Sequence, residues 1–217
     1  MSLTVDIKLR EQLLATARAM STAGLNTGTA GNVSVRIDGG MLITPSGMPP
    51  GACTPDDMVI VAGDGSVRGR LAPSSEWRFH HDLYARRPEA GAILHAHAPF
   101  ATALACQRIE IPPFHYMIAR FGGNAVHCAR YATFGTQALS DNILAAMEGR
   151  SACLMANHGM LVFGRDLDNA LDLAIEFETL CEQYWRTRQI GEPVLLSDDE
   201  MAEVVERFRW YGKPRAK

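Results

Sequence analysis

The sequence predicts a single α/β domain, a mixed β-sheet covered by helices. Three observations carry that prediction. Hairpin patterns stand early in the chain, and strand patterns alternate with helix patterns after them. A mixed sheet with helical cover accommodates both. The 217 residues, 47% of them hydrophobic, suffice for one well-formed core. No repeat, low-complexity tract or linker divides them, so residues 1–217 read as one domain.

Residues 5–23 carry Leu9, Leu13, Ala17 and Met20 at helical spacing, with Ile7 and Leu14 widening the stripe. The glycines of "AGLNTGTAGN" break it. "VSVRI" and "MLITP" flank "DGG" as a hairpin, and "MVIVAGDGSVRG" reads as a second one. "PSSEWRFHHDLYARRP", 73–88, is a helix that starts at Pro73, Ser74 and Ser75 and stops at Pro88, with Glu76 in its first turn. "GAILHAHAP" is a strand, 98–107 a short helix, and "NAVHCARYA", 124–132, another strand. Gly149 closes a helix over 135–149. "SACLMANHGMLVFG" is a strand pair meeting near Asn157-His158-Gly159. A long helix follows over 166–190, and "SDDE" at 197–200 is a capping box opening the last one.

Composition removes several function classes. The net charge of −3 is without a basic stripe, which argues against nucleic acid. The longest apolar runs, 58–62 and 152–156, are strand-length, far short of the roughly 18 residues of a membrane span. The N-terminal segment has the interspersed charges of an amphipathic helix rather than a signal peptide. Cys53, Cys106, Cys128, Cys153 and Cys181 are odd in number and form no CxxC pair, which reads as a reduced, cytoplasmic protein. The three lysines, Lys8, Lys213 and Lys217, all lie close to the termini. Imine chemistry needs a lysine desolvated in a pocket, and no central segment supplies one.

In "AILHAHAP", His95 and His97 fall on one face of a strand because side chains alternate. Two readings fit: a pair of metal ligands, or two buried histidines bonded to backbone carbonyls. His158, in "ANHGML", is a third candidate ligand or a turn histidine. Three histidines and one open position make a catalytic zinc pattern. Glu76 is either a helix-dipole partner or a working carboxylate. "GTAGNVS", "TPSG" and the serines before Glu76 could offer amides and hydroxyls to an anion, though glycine-rich turns are commonly just turns. His80, His81, His115 and His127 read as surface positions or supports behind a site.

"GTAGNVSVR", "MLITPSGMP", "PSSEWRFH", "LHAHAP", "HYMIARFGGN", "YATFGT" and "ANHGML" occur in this order. Together they resemble the class II, zinc-dependent sugar-phosphate aldolases, in particular their fuculose-phosphate branch, over about residues 7 to 212. The resemblance implies a central mixed, largely antiparallel sheet flanked by helices, and a cyclic homotetramer with active sites at subunit interfaces. It implies one Zn²⁺ per subunit on His95, His97 and His158, with Glu76 as catalytic acid/base and as a ligand when substrate is absent. Gly31, Asn32, Ser46, Gly47, Ser74 and Ser75 would hold the substrate phosphate. Tyr116, reaching from a neighbouring subunit, and Tyr211 would be proton donors at the aldehyde end, and Phe134 and Phe208 its apolar wall. The reaction implied is reversible cleavage of a ketose 1-phosphate, of the L-fuculose 1-phosphate type, to dihydroxyacetone phosphate and a small aldehyde such as L-lactaldehyde. Without a usable lysine, a metal is the remaining means of holding the enediolate's charge, and a carboxylate can shuttle its proton.

The rival readings are neighbours on the same scaffold. An aldolase for 5-(methylthio)ribulose or 5-deoxyribulose 1-phosphate would need the same site with a different tail pocket. L-Ribulose-5-phosphate 4-epimerase has aspartate where this chain has Glu76. Methylthioribulose-1-phosphate dehydratase keeps the glutamate and three histidines but matches the motifs less well. A non-catalytic sugar-phosphate binder predicts loss of a ligand or of the glutamate, and all four are present. One departure is Ala72, inserted where the family form runs directly from leucine to proline.

Overall fold

The computed structural model describes residues 5–210. Its centre is one eight-stranded sheet in the order β4-β3-β2-β1-β5-β8-β7-β6. The first hairpin pairs β1 (Asn32–Ile37) with β2 (Gly40–Ile43), and the second pairs β3 (Val59–Ala62) with β4 (Val67–Arg68). The middle is made by β5 (Ala92–Ala96), which lies antiparallel to β1 on one side and to β8 (Gly159–Gly164) on the other. Antiparallel β7 (Ala152–Met155) follows, and β6 (Cys128–Ala129) closes the sheet in parallel with β7. The sheet is thus mixed and largely antiparallel.

Each face has its own core, because strand side chains alternate. Against one face pack α1 (Ile7–Thr22), α3 (Pro99–Cys106) and α5 (Leu167–Ile190), meeting Val33, Val35, Leu94 and Ala96. Against the other pack α2 (Trp77–Arg86) and α4 (Gln137–Ala146), meeting Ile43, Ile93, Cys153 and Met155. The stripe Phe177, Leu180, Cys181 and Tyr184 buries one side of α5, and full burial of a side chain such as Phe177 contributes roughly 1.5–3 kcal/mol. The last helix, α6 (Asp198–Trp210), opens on a reciprocal cap: Ser197 N–H donates to the Glu200 carboxylate, and Glu200 N–H donates to Ser197 Oγ.

Two elements differ from the sequence-based expectation. Residues 73–75 are not helical. Pro73 bridges Pro45, and Ser74 N–H donates to Thr44 C=O. That extended pairing delays α2 to Trp77 and leaves Glu76 as its N-cap residue, with no side-chain capping bond. The strand expected over 124–132 shrinks to Cys128–Ala129, because Val126 turns away to bridge Ile111.

Candidate active site

Strand β5 delivers the first ligand candidate. His95 shares a face with Ile93, turned toward α2, and is fully buried. Its Nδ1 lies 2.9 Å from Met160 C=O. A carbonyl only accepts, so Nδ1 carries the proton and Nε2 presents a lone pair to the site. His97 follows just past the strand end. Its backbone N–H donates to Asn26 Oδ1 at 3.0 Å, and its Nε2 sits 3.1 Å from His95 Nε2. His158 comes from the turn between β7 and β8. Gly159 beside it allows close passage of the strands: a Cβ there would lie 2.4 Å from Ala96 C=O. Asn157, at φ 53°, completes the turn in the left-handed region, which asparagine tolerates better than most residues.

Glu76 enters from the start of α2. Its Oε2 is 3.2 Å from His95 Nε2, and its Oε1 is 3.1 Å from His158 Nε2. Candidate ligand atoms of His95, His97 and His158 lie within 4.8 Å of one another. Burial alone would raise the Glu76 pKa, but the attraction of His95 and His158 wins and holds it well below the carboxylate range. Burial likewise opposes charging of His95, yet the Glu76 carboxylate pulls its pKa up. Burial of the His97 ring, aided by repulsion from His95 and His158, holds that imidazole down to about 4. Nitrogen and oxygen atoms converging at 3.1–3.2 Å are bridged by a proton or by a cation, and a divalent cation is one that three imidazoles suit. The donor set therefore fits a metal. Lys8 is the sole lysine among the described residues and is exposed on α1, outside the cleft.

Above this cluster opens a cleft of about 350 Å³. Gly31, Asn32, Ser46, Gly47, Ser74 and Ser75 all border it, together with Glu76, His97, His158 and Phe134. Gly31 has φ +73°, and a Cβ there would strike the Asn26 side chain at 2.3 Å, so this loop requires glycine. The nearby N-terminus of α3 is not free for an anion, since Phe100 and Ala101 N–H both donate to Glu178, at 2.7 and 2.9 Å. The cleft's rim is aromatic: Phe134 is 64% and Tyr131 55% exposed. Tyr131, Thr29 and Asn157 border the cleft without having been singled out in the sequence. Tyr131 opens the "YATFGT" run and was overlooked for Phe134.

Tyr116 and Phe208 are not brought to this cleft within one chain. They face each other across 6.5 Å and border a separate groove with Arg120, Arg165 and Arg207. Tyr211 lies outside the described residues. His80 is fully buried behind Asn32 rather than at the surface.

Residues 11–185 match the Class II Aldolase and Adducin N-terminal domain family. The chain belongs to this family. It is an enzyme of the aldehyde-lyase class, as the aldolases to which it is similar are. It is 55% identical over 206 residues to a 5-methylthioribulose-1-phosphate/5-deoxyribulose-1-phosphate aldolase of Rhodospirillum rubrum, covering 95% of this chain and 93% of that one. It is 47% identical to the L-fuculose phosphate aldolase of Escherichia coli K12, over 94% of this chain and 96% of the other. A solved L-fuculose 1-phosphate aldolase superposes with a TM-score of 0.91 at 39% identity, covering 94% of this chain and 98% of that one. Class II aldolases are metal-dependent, in keeping with the three-histidine group. No helix among the described residues is long and apolar enough to cross a membrane.

Proposed function

We propose that the chain, as one domain over 1–217, catalyses reversible retro-aldol cleavage of a ketose 1-phosphate to dihydroxyacetone phosphate and a short aldehyde. The observation that carries this reading is a buried carboxylate set among three imidazoles on the floor of a cleft bordered by small polar loops. His95, His97 and His158 would hold a divalent metal, for which zinc suits three histidines and an open position. Bound there, it would supply Lewis acidity toward the substrate's oxygens, the part an imine-forming lysine plays in other aldolases.

The chain's own groups do the rest. Gly31, Asn32, Ser46, Gly47, Ser74 and Ser75 grip the phosphate through amides and hydroxyls, which fixes the sugar's direction in the cleft. Glu76 gives a proton to the carbon released by C–C cleavage and takes it back in the reverse direction. Its free oxygen for this is Oε1, which has no well-aligned hydrogen-bond donor. Tyr116 lies outside the cleft of its own chain and would serve as proton donor in that of a second copy; Tyr211 would be a second donor of that kind, and Phe208 part of the apolar wall. A site shared between copies suits the cyclic homotetramer that the family resemblance implies, and the unpaired cysteines suit the cytoplasm.

Between possible tails, the 55% relative supports 5-(methylthio)- or 5-deoxyribulose 1-phosphate over L-fuculose 1-phosphate, which sequence reasoning ranked first. The aromatic rim of Tyr131 and Phe134 suits a thioether or methyl group. A coupled assay for dihydroxyacetone phosphate, offering the ketose phosphates side by side with and without prior chelation, tests both points. Chelator-sensitive release with higher kcat/KM for the methylthio substrate is expected. Preference for fuculose phosphate would reverse the tail assignment. Release that survives complete metal removal, or no release from any substrate, would overturn the reading.

A further inference from the structure

Behind Glu76 runs a chain of hydrogen bonds that the reaction described above does not use. Helix α2 places Glu76, His80 and Tyr84 one turn apart on a single face, since residues four apart are neighbours on a helix. Strand β1 places Asn32 and Ser34 on the sheet face opposite them, directly across from His95 and Ile93 of β5. The two elements interlock. Asn32 Nδ2 donates to Glu76 Oε2 at 3.0 Å. Asn32 Oδ1 meets His80 Nε2. His80 Nδ1 lies 2.8 Å from Ser34 Oγ, which lies 2.9 Å from the Tyr84 hydroxyl. His80 and Ser34 are fully buried, and Asn32 and Tyr84 are each 6% exposed.

One assignment of protons satisfies every link. An ionised carboxylate only accepts, so Asn32 must turn its NH₂ toward Glu76. Its carbonyl oxygen then faces His80, and Nε2 must carry the ring proton. A neutral imidazole has one N–H, so Nδ1 accepts from the Ser34 hydroxyl, and Ser34 Oγ in turn accepts from Tyr84. The ring is neutral: burial, with repulsion from His95, holds its pKa down to about 3. Every donor in the chain points toward the carboxylate, and the chain ends on Oε2.

We propose that His80 is a positioning residue for the reaction: through Asn32 it pins Glu76 Oε2 as an acceptor and leaves Oε1 to carry the reacting proton. The proposal rests on the reading of Glu76 as proton carrier. A histidine kept only for packing would be replaceable by a residue of similar bulk. Here the ring's two nitrogens instead join β1 to α2 in the one orientation that the Asn32 amide requires. A rotated Asn32 amide would aim its carbonyl oxygen at the carboxylate, and Glu76 would swing or share its proton at the wrong oxygen.

The test uses the metal-loaded enzyme and the His80→Leu and His80→Gln variants. The glutamine amide can place an N–H where Nε2 stands. Two rates are measured: cleavage at saturating ketose phosphate, and exchange of the hydroxymethyl proton of dihydroxyacetone phosphate into D₂O without aldehyde, followed by NMR. For His80→Leu, both should fall together by about 30-fold, with KM changed less than about threefold and metal content unchanged. His80→Gln should recover to within about fivefold of wild type on the same grounds. Ser34→Ala, which frees the tautomer without removing the ring, should lower both rates by about fivefold and guards against a leucine variant that fails to fold. Wild-type exchange rates in either His80→Leu or Ser34→Ala would overturn the proposal. So would equal losses in the leucine and glutamine variants of folded, metal-loaded protein. If the wild type itself exchanges no proton, the role of Glu76 falls first, and that of His80 with it.

Discussion

The floor and the rim of the cleft are built on opposite principles. The floor is buried, polar and anchored in regular structure: His95 in the central strand, Asn32 across from it, and Glu76 at the start of α2. Each side chain there answers to at least one other. The rim is exposed and aromatic, with Tyr131 and Phe134 in an irregular stretch before α4 and few partners to constrain them. Groups that move protons have to be held within a fraction of an ångström. Groups that meet the variable tail of a substrate need only offer an apolar surface. Relatives named for methylthioribulose and for fuculose phosphates fit that division, since one scaffold can keep the floor and vary the rim.

The contrast can be broken or sharpened by experiment. Glu76→Gln keeps the shape of the floor but removes the proposed proton carrier, and turnover should drop by about 10³-fold. A coupled assay showing a loss under tenfold would move the chemistry away from the floor. His97→Ala should cut metal affinity and, with it, activity by about 100-fold, read by metal content after dialysis. Wild-type metal binding should itself weaken as pH falls, because Glu76 favours the protonated form of His95 and a proton competes with the ion. Retention that does not change between neutral and acidic dialysis would contradict the ligand assignment.

On the rim, Phe134→Ala should shift the ratio of kcat/KM between methylthio and fuculose substrates by about tenfold. Its effect on unfolding free energy should stay within about 0.5 kcal/mol, as suits an exposed side chain. A large loss of stability would show that the rim is part of the core after all. The remaining test is acid. His80 is buried neutral, with its folded pKa below the unfolded value near 6.5. Its contribution is therefore complete above that pH and is lost as pH falls toward 3, because the unfolded chain binds the extra proton. Urea titrations should show stability declining by up to about 1.4 kcal/mol per pH unit in that window from this one group. The slope should be reduced in His80→Gln, and an identical slope there would assign the acid response elsewhere.

Legibility in the sequence followed the same division. Alternation in a strand put His95 and His97 on one face, but their grouping with His158 and Glu76 was implied only by the resemblance. The loops expected to hold phosphate could be picked out only through the order of their motifs, and their residues border the cleft. The start of α2 was misplaced because the pairing of Ser74 with Thr44 is a contact between distant segments, invisible to local propensity. For His80 the sequence left a surface position and a support behind a site both open, for a related reason. The spacing of Glu76, His80 and Tyr84 is plain in the sequence, but its meaning depends on Asn32 and Ser34 arriving from another element. Tyr116 and Phe208, expected at the active site from the resemblance, stand apart from the cleft in a single chain.

The register of the central strands has a last consequence. His95 faces Leu161, and Ala96 faces Met160, in the pairing of β5 with β8. A slip of one residue would turn the His95 imidazole to the opposite side of the sheet. Three imidazoles can then converge only on a correctly threaded molecule.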